Sequence, residues 1–196
     1  MSLTLDDLIR MGRADLHAVM CRAHPLDLNA LESAAYRGVD LSLPAFMHKL
    51  LWQTFVKEFV RDADTGHIRG WNVRLQQTGV AGEIVPMRRK DGARLTFGHY
   101  VVREVTDQRF PQGWRGRQFL DYRCAGNTAF DPAGLATAPL VAVNAGSMDL
   151  LLGWEIFNFG PLQVPIPDYW ALQRLGPAAE VVPVPRPVKA LPAPPR

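Results

Sequence analysis

The chain is poor in the features that mark most families of known chemistry. Its 196 residues hold two cysteines, Cys21 and Cys124, and two thiols so far apart define neither a disulfide nor a zinc site. None of the five histidines has metal-ligand spacing with another. There is no Gly-rich phosphate loop and no nucleophile elbow, and Gly79–Gly82 and Gly113–Gly116 lack a strand-to-helix frame. No apolar run reaches the ~20 residues that span a bilayer. Met-Ser-Leu-Thr-Leu-Asp-Asp at the start has no basic stretch followed by an apolar core, so no secretory signal is expected. Few thiols and no signal lead us to expect a reducing, cytoplasmic setting.

Charge is equally unassertive. The net charge is +3, and the one dense basic cluster, Arg88-Arg89-Lys90 beside Asp91-Gly92, is too short for a nucleic-acid stripe. It reads as a charged hairpin tip. Arg109, Arg115 and Arg117 around Trp114 have the composition of a stacking site, but as a single instance. Asp62-Ala-Asp-Thr-Gly66 begins like a calcium loop and lacks the later ligands, so it reads as a turn. No metal, no cofactor and no nucleic-acid partner are expected.

What the chain does have is strand rhythm. In Arg69-Gly-Trp-Asn-Val-Arg-Leu-Gln76, Trp71, Val73 and Leu75 alternate with Asn72, Arg74 and Gln76, the period of a half-buried strand. Similar segments occur at 36–43, 83–88, 94–105, 118–124, 140–144, 150–159 and 168–175. Pro86 marks 83–88 as an edge or a bulge, and 94–105 is long enough to need a bend at Gly98. With 68–77 these make eight, the count of a small closed barrel. The expected fold class is mainly β, a lipocalin-like barrel of about eight antiparallel strands, with an N-terminal helix and a helix after the first strand.

The first helix is expected over 4–22, capped by Thr4, with Asp6 and Asp7 in its first turn; a short helix follows at 29–35. The second long helix is expected over 45–60. Phe46, Met47, Leu50, Leu51, Trp52, Phe55, Val56 and Phe59 nearly encircle it, and Lys49, Gln53, Lys57 and Arg61 leave a narrow polar stripe. Such a helix would lid the barrel, pack on the sheet or form a homodimer contact. The organisation is thus an N-terminal helical segment (1–35), a barrel domain (36–176) and a proline-rich extended tail (177–196).

Two residues are candidates for chemistry. If the face that carries Leu95, Phe97 and Val101 lines the barrel, His99 projects into it, kept neutral by desolvation. Asp121, if buried, needs a partner, which Arg123, His99 or Arg74 can supply. Glu155, on the face opposite Trp154, reads as solvated. The aromatic and aliphatic residues Trp52, Trp71, Val73, Leu75, Phe97, Trp154 and Tyr169 are candidates for a ligand wall, or simply for core.

Tyr36-Arg37-Gly38, the strand series, Leu120-Asp121-Tyr122 and Tyr169-Trp-Ala-Leu-Gln-Arg174 together resemble lipocalin-like (calycin-type) barrels. The order is similar to bacterial families that open on Gly-x-Trp-x-Gly, although position 36 is Tyr and no glycine stands two residues before it. The resemblance covers about residues 36–175 and implies a cavity for an apolar small molecule such as a lipid or isoprenoid. It carries over no catalytic residue. A metal-independent acid–base enzyme using His99 and Asp121, or a protein-interaction module, is the alternative on the same scaffold.

Overall fold

The computed structural model describes residues 2–43 and 52–187. Its strands are β1 (Ser33–Asp40), β2 (Thr54–Arg61), β3 (Ile68–Arg74), β4 (Thr96–Glu104), β5 (Gln118–Asp121), β6 (Ala136–Ala142), β7 (Leu150–Phe159) and β8 (Leu162–Gly176). Each pairs antiparallel with the next, and β8 returns to β1, closing an eight-stranded barrel. Strands β1, β3, β5 and β7 therefore finish at one end of the barrel, the mouth, and the others finish at the opposite end. Leu26 and Leu31, with Leu28 and Met148 against them, seal that opposite end.

Every strand contributes to one interior cluster: Tyr36, Phe59, Ile68, Tyr100, Leu120, Leu140, Leu151 and Leu172 are all buried in it. Small inner-wall residues make space for rings. A Cβ on Gly38 would overlap the Phe55 ring, and one on Gly153 the Trp170 ring, the small-against-large pairing by which narrow barrels fill.

The outside of the barrel is buried as well. Two helices, α1 (Leu5–Arg10) and α2 (Arg13–Arg22), cover one side. Thr4 and Asp7 form a capping box at α1. The expected helix over 4–22 is broken at Met11–Gly12, where Gly12 becomes the N-cap of α2, as a residue of low helix propensity allows. Leu8, Leu16, Val19 and Met20 pack on the outward residues Phe119, Leu152, Trp154, Ile156 and Tyr169. On the other side, Ala35, Val56, Val60, Trp71, Val73 and Leu75 lie beneath Ile84 of the β3–β4 connection and Ala178 and Val182 of the tail.

The described part of the tail, 177–187, is docked on the barrel, where a segment outside the core was expected. Arg94 forks onto Glu58 through two bonds of 2.8 Å and reaches Glu180 at 2.7 Å. The Trp71 indole donates to Glu58 at 2.7 Å, and Arg69 donates to the Val182 carbonyl at 2.9 Å.

Three element assignments need correction. The helix expected over 45–60 is not present where it is described: 54–61 form β2, and 44–51 lie outside the described residues. A four-residue repeat fits one helical turn and two strand periods alike, so Phe55/Phe59 and Lys57/Arg61 satisfied both. The segment 83–88 is not a strand; it makes only isolated bridges, Leu75 to Pro86 and Arg88 to Arg94. The 29–35 helix is a single 3-10 turn, Asn29–Leu31, followed at once by β1.

Glu58 and Arg94 are both buried beneath the tail. Arg94→Ala strands the carboxylate there, and a loss of about 3–5 kcal/mol is expected. Urea unfolding measures it; a loss under ~1 kcal/mol would mean the fork is not what holds this face.

Candidate functional site

Strand β2 places Lys57 between Phe55 and Phe59 on the inner face, and Lys57 is 1% exposed. Its register partner is Asn72 of β3. The Lys57 Nζ donates to Asn72 Oδ1 at 2.7 Å and to the Tyr122 hydroxyl at 2.9 Å. Four rings surround it: Tyr100 at 4.5 Å, Trp170 at 4.8 Å, Tyr122 at 5.3 Å and Phe55 at 5.6 Å to the centroids. Such rings stabilise a cation through their negative faces.

A break in the ladder orients Asn72. Asn72 pairs with Phe97 and Gly70 with Tyr100, so β4 carries one extra residue there. Gly98 sits in that bulge at φ +53, and a Cβ on it would press on Asn72 Nδ2. Without one, Asn72 Nδ2 donates to the Gly98 carbonyl at 3.1 Å, which turns Oδ1 toward Lys57. The loop after β5 fixes the bulge: Gly98 N–H donates to Asp131 and His99 N–H to Asn127, each at 2.7 Å.

Glu155 and Asp168 complete the cluster from β7 and β8. Both are largely surrounded by protein yet keep partial exposure. Burial pushes the Glu155 carboxyl up to about 7, with Lys57 pulling the other way. Burial also raises Asp168, and neighbouring Asp40 and Glu155 add to the rise. Lys57 is pushed down to about 7 by burial, against the pull of Glu155 and Asp168. Among the described residues, neither carboxylate forms an ion pair with Lys57; they act on it at longer range. Toward the mouth, the Trp52 and Phe97 rings pack at 4.5 Å with a tilt of 52°, with the Arg74 guanidinium 5.7 Å from the Trp52 ring.

The expected site residues are distributed otherwise. Trp52 and Phe97 stand at the barrel mouth, but Trp71, Val73 and Leu75 face outward under the tail. Trp154 and Tyr169 also face outward, stacked at 5.8 Å beneath α2. His99 lies on the outer face because the Gly98 bulge reverses parity between Phe97 and His99. It is buried with its ring 6.2 Å from that of Trp71, and Nδ1 has no hydrogen-bond partner among the described residues. Burial, aided by Arg69 and Arg89, lowers it to about 4. Asp121 is buried and outward too, bonded to Arg103 at 3.0 Å and Arg123 at 2.9 Å. Burial would raise its carboxyl, but the hydrogen bonds and charge of Arg123, with Arg103, take it below its ordinary value. His99 and Asp121 therefore face separate partners. Glu155 is opposite Trp154, as the alternation implied, but that face is the interior.

A separate surface recess of about 370 Å³ lies between the 122–135 loop and the tail, lined by Tyr122, Arg123, Asn127, Asp131 and Arg186 among others. Comparison with protein-family models, curated proteins and solved structures gives no match. The geometry alone defines the class: an eight-stranded antiparallel closed barrel with an ionisable cluster inside.

The cluster has a pH signature. Glu155 holds its proton more tightly folded than unfolded, so its stabilising contribution falls as pH rises from 4.5 to about 7. Lys57 holds its proton less tightly folded, so its contribution returns as pH rises from about 7 to 10.5. Subtracting the stability of the double variant Lys57→Met/Glu155→Gln from that of the wild type should give a curve with a trough near pH 7. Denaturant melts across pH measure it, and a flat difference would refute the coupling.

Proposed function

We propose that the chain is a lipocalin-like barrel whose mouth takes up a small molecule with an apolar body and one polar head. The observation that carries this reading is Lys57, buried in an apolar barrel and held by neutral partners rather than paired directly with a carboxylate. Replacing buried ions by apolar side chains is commonly neutral or stabilising. A barrel filled only for stability has no use for Lys57, Glu155 and Asp168 together, whereas a binding site needs a few convergent polar groups in an apolar lining. Trp52 and Phe97 at the mouth are suited to the body, and Lys57 and Tyr122 to the head. The lower barrel is filled by side chains, so the space proposed for the ligand is the mouth, not the whole interior. A cytoplasmic setting is part of the proposal, and the unbridged Cys21 and Cys124 are compatible with it.

A second reading, acid–base catalysis in the same place, is favoured by a different observation. Lys57 and Glu155 both sit near neutrality, where a general acid and base work best. In this reading they take the roles first considered for His99 and Asp121.

Aromatic and aliphatic alcohols, aldehydes and acids titrated into the full chain should quench tryptophan fluorescence for some members. Trp52→Ala should weaken binding about tenfold, consistent with loss of one aromatic wall. Trp71→Phe, on the outer face, should not. No saturable quenching across the panel, or equal loss in both variants, would refute the mouth as the site.

A further inference from the structure

We propose that Lys57 is a covalent site for a carbonyl compound: its amine condenses with an aldehyde or ketone whose apolar body lies in the barrel mouth. This rests on the mouth being a small-molecule site and names the class of head group.

Charge selects that class. The inner face of the mouth carries Asp40 at the end of β1, Glu155 on β7 and Asp168 on β8; Asp40 and Glu155 act on Asp168, and Glu155 and Asp168 act on Lys57. Tyr100 and Tyr122 face the same nitrogen as neutral hydroxyl-bearing rings. An anionic head would enter a space with three carboxyls against two cations, Lys57 and the Arg74 guanidinium beside Trp52. A cationic head would meet Lys57 itself. A carbonyl is neutral, accepts hydrogen bonds and offers an electrophilic carbon to an amine.

The nitrogen is also arranged for that reaction. Its bonds to Asn72 and Tyr122 fix its position, and its remaining position has no hydrogen-bond partner among the described residues. The ring cage that stabilises an ammonium also stabilises a protonated imine, which keeps the positive charge at the same nitrogen. Burial that brings Lys57 down and Glu155 up toward neutrality lets a free amine and a protonated acid coexist.

The step balances without redox. The amine lone pair forms a C–N bond to the carbonyl carbon, and the C=O π pair moves to oxygen, which takes a proton from Glu155. The nitrogen returns one proton to Glu155 through a water, since the two groups are not in contact, giving a neutral carbinolamine. Glu155 then protonates the hydroxyl, the C–O bond breaks, and water leaves as the nitrogen lone pair forms C=N. The products are a cationic imine on Lys57, one water and a Glu155 carboxylate as its counterion.

The test uses the full chain with cinnamaldehyde or octanal as probe and sodium cyanoborohydride to reduce any imine. Peptide mass mapping then compares Lys57 with the other lysines, Lys49, Lys90 and Lys189. Labelling of Lys57 at neutral pH should be about tenfold or more faster than that of the exposed Lys90, despite its burial. Glu155→Gln should slow labelling at Lys57 and leave Lys90 unchanged. Because the wild-type map needs no variant to fold, the result does not hang on Glu155→Gln being stable. Saturable fluorescence quenching with label only on Lys90, or at Lys57 only after unfolding in urea, overturns the imine and leaves the small-molecule site standing. Neither quenching nor label at Lys57 overturns both.

Discussion

The barrel is filled within and wrapped without, so its strands answer to two buried surfaces at once. A strand with one wet face can leave its charges there. Strand β2 cannot: Lys57 points inward and Glu58 outward, adjacent in sequence, and each is 1% exposed. Burial of either charge is costly unless partners replace water. Outside, Glu58 is fully engaged, by the Arg94 fork, the Trp71 indole and the Ala179 amide. That network closes the wrapping, because Arg94 also holds Glu180 of the tail. Inside, Lys57 receives an amide oxygen, a phenol and ring faces but, among the described residues, no direct counterion. One sheet thus carries a closed charge network on its outer surface and an open one on its inner surface.

The open network depends on a local defect in the sheet. If β4 were regular, His99 would share the inner face with Phe97. The extra residue at Gly98 keeps Phe97 inside, puts His99 outside and restores Tyr100 to the inner wall. It also presents the carbonyl that turns Asn72 toward Lys57. Asn127 and Asp131, which look like ordinary turn residues in the sequence, hold this bulge by binding backbone amides where a neighbouring strand would otherwise do so. The bulge is thereby a positioning device, which is the common use of such insertions beside sites.

Period was legible in the sequence and sidedness was not. Trp71, Val73 and Leu75 do alternate with polar residues, but the apolar set faces the tail while Asn72 faces the barrel. Alternation tells which residues share a face; it does not tell which face is inside when both are covered. The same ambiguity placed Glu155 in solvent. The strand count of eight was reached with one member exchanged: 83–88 was taken in place of 54–61, whose four-residue spacing imitated a helix. Its β-branched and aromatic content, Thr54, Phe55, Val56, Phe59 and Val60, was the signal against a helix. Once those residues form a strand, a lysine midway between two inward phenylalanines follows directly. Gly98 was the one irregularity visible beforehand, though its consequence for His99 was not.

The contrast between Glu58 and Lys57 also bears on what the interior is for. An ion retained for structure alone is most economically satisfied by a fork of the Glu58–Arg94 kind, with both partners saturated. Lys57 is instead brought down to about 7, where amine and ammonium are close in stability at neutral pH. Desolvation favours the neutral amine, whereas the ring faces and the distant carboxyls Glu155 and Asp168 favour the ammonium. A group balanced in this way responds to small changes around it. An apolar ligand that displaced water from the mouth would weaken hydration of the ammonium further and shift Lys57 toward the amine, while shifting Glu155 toward the protonated acid. Binding would then prepare both groups for proton transfer, and a neutral ligand would suffer less from that desolvation than a charged one. On the proposed reading, the same physics that makes the cluster expensive to bury would favour an apolar molecule with an uncharged head.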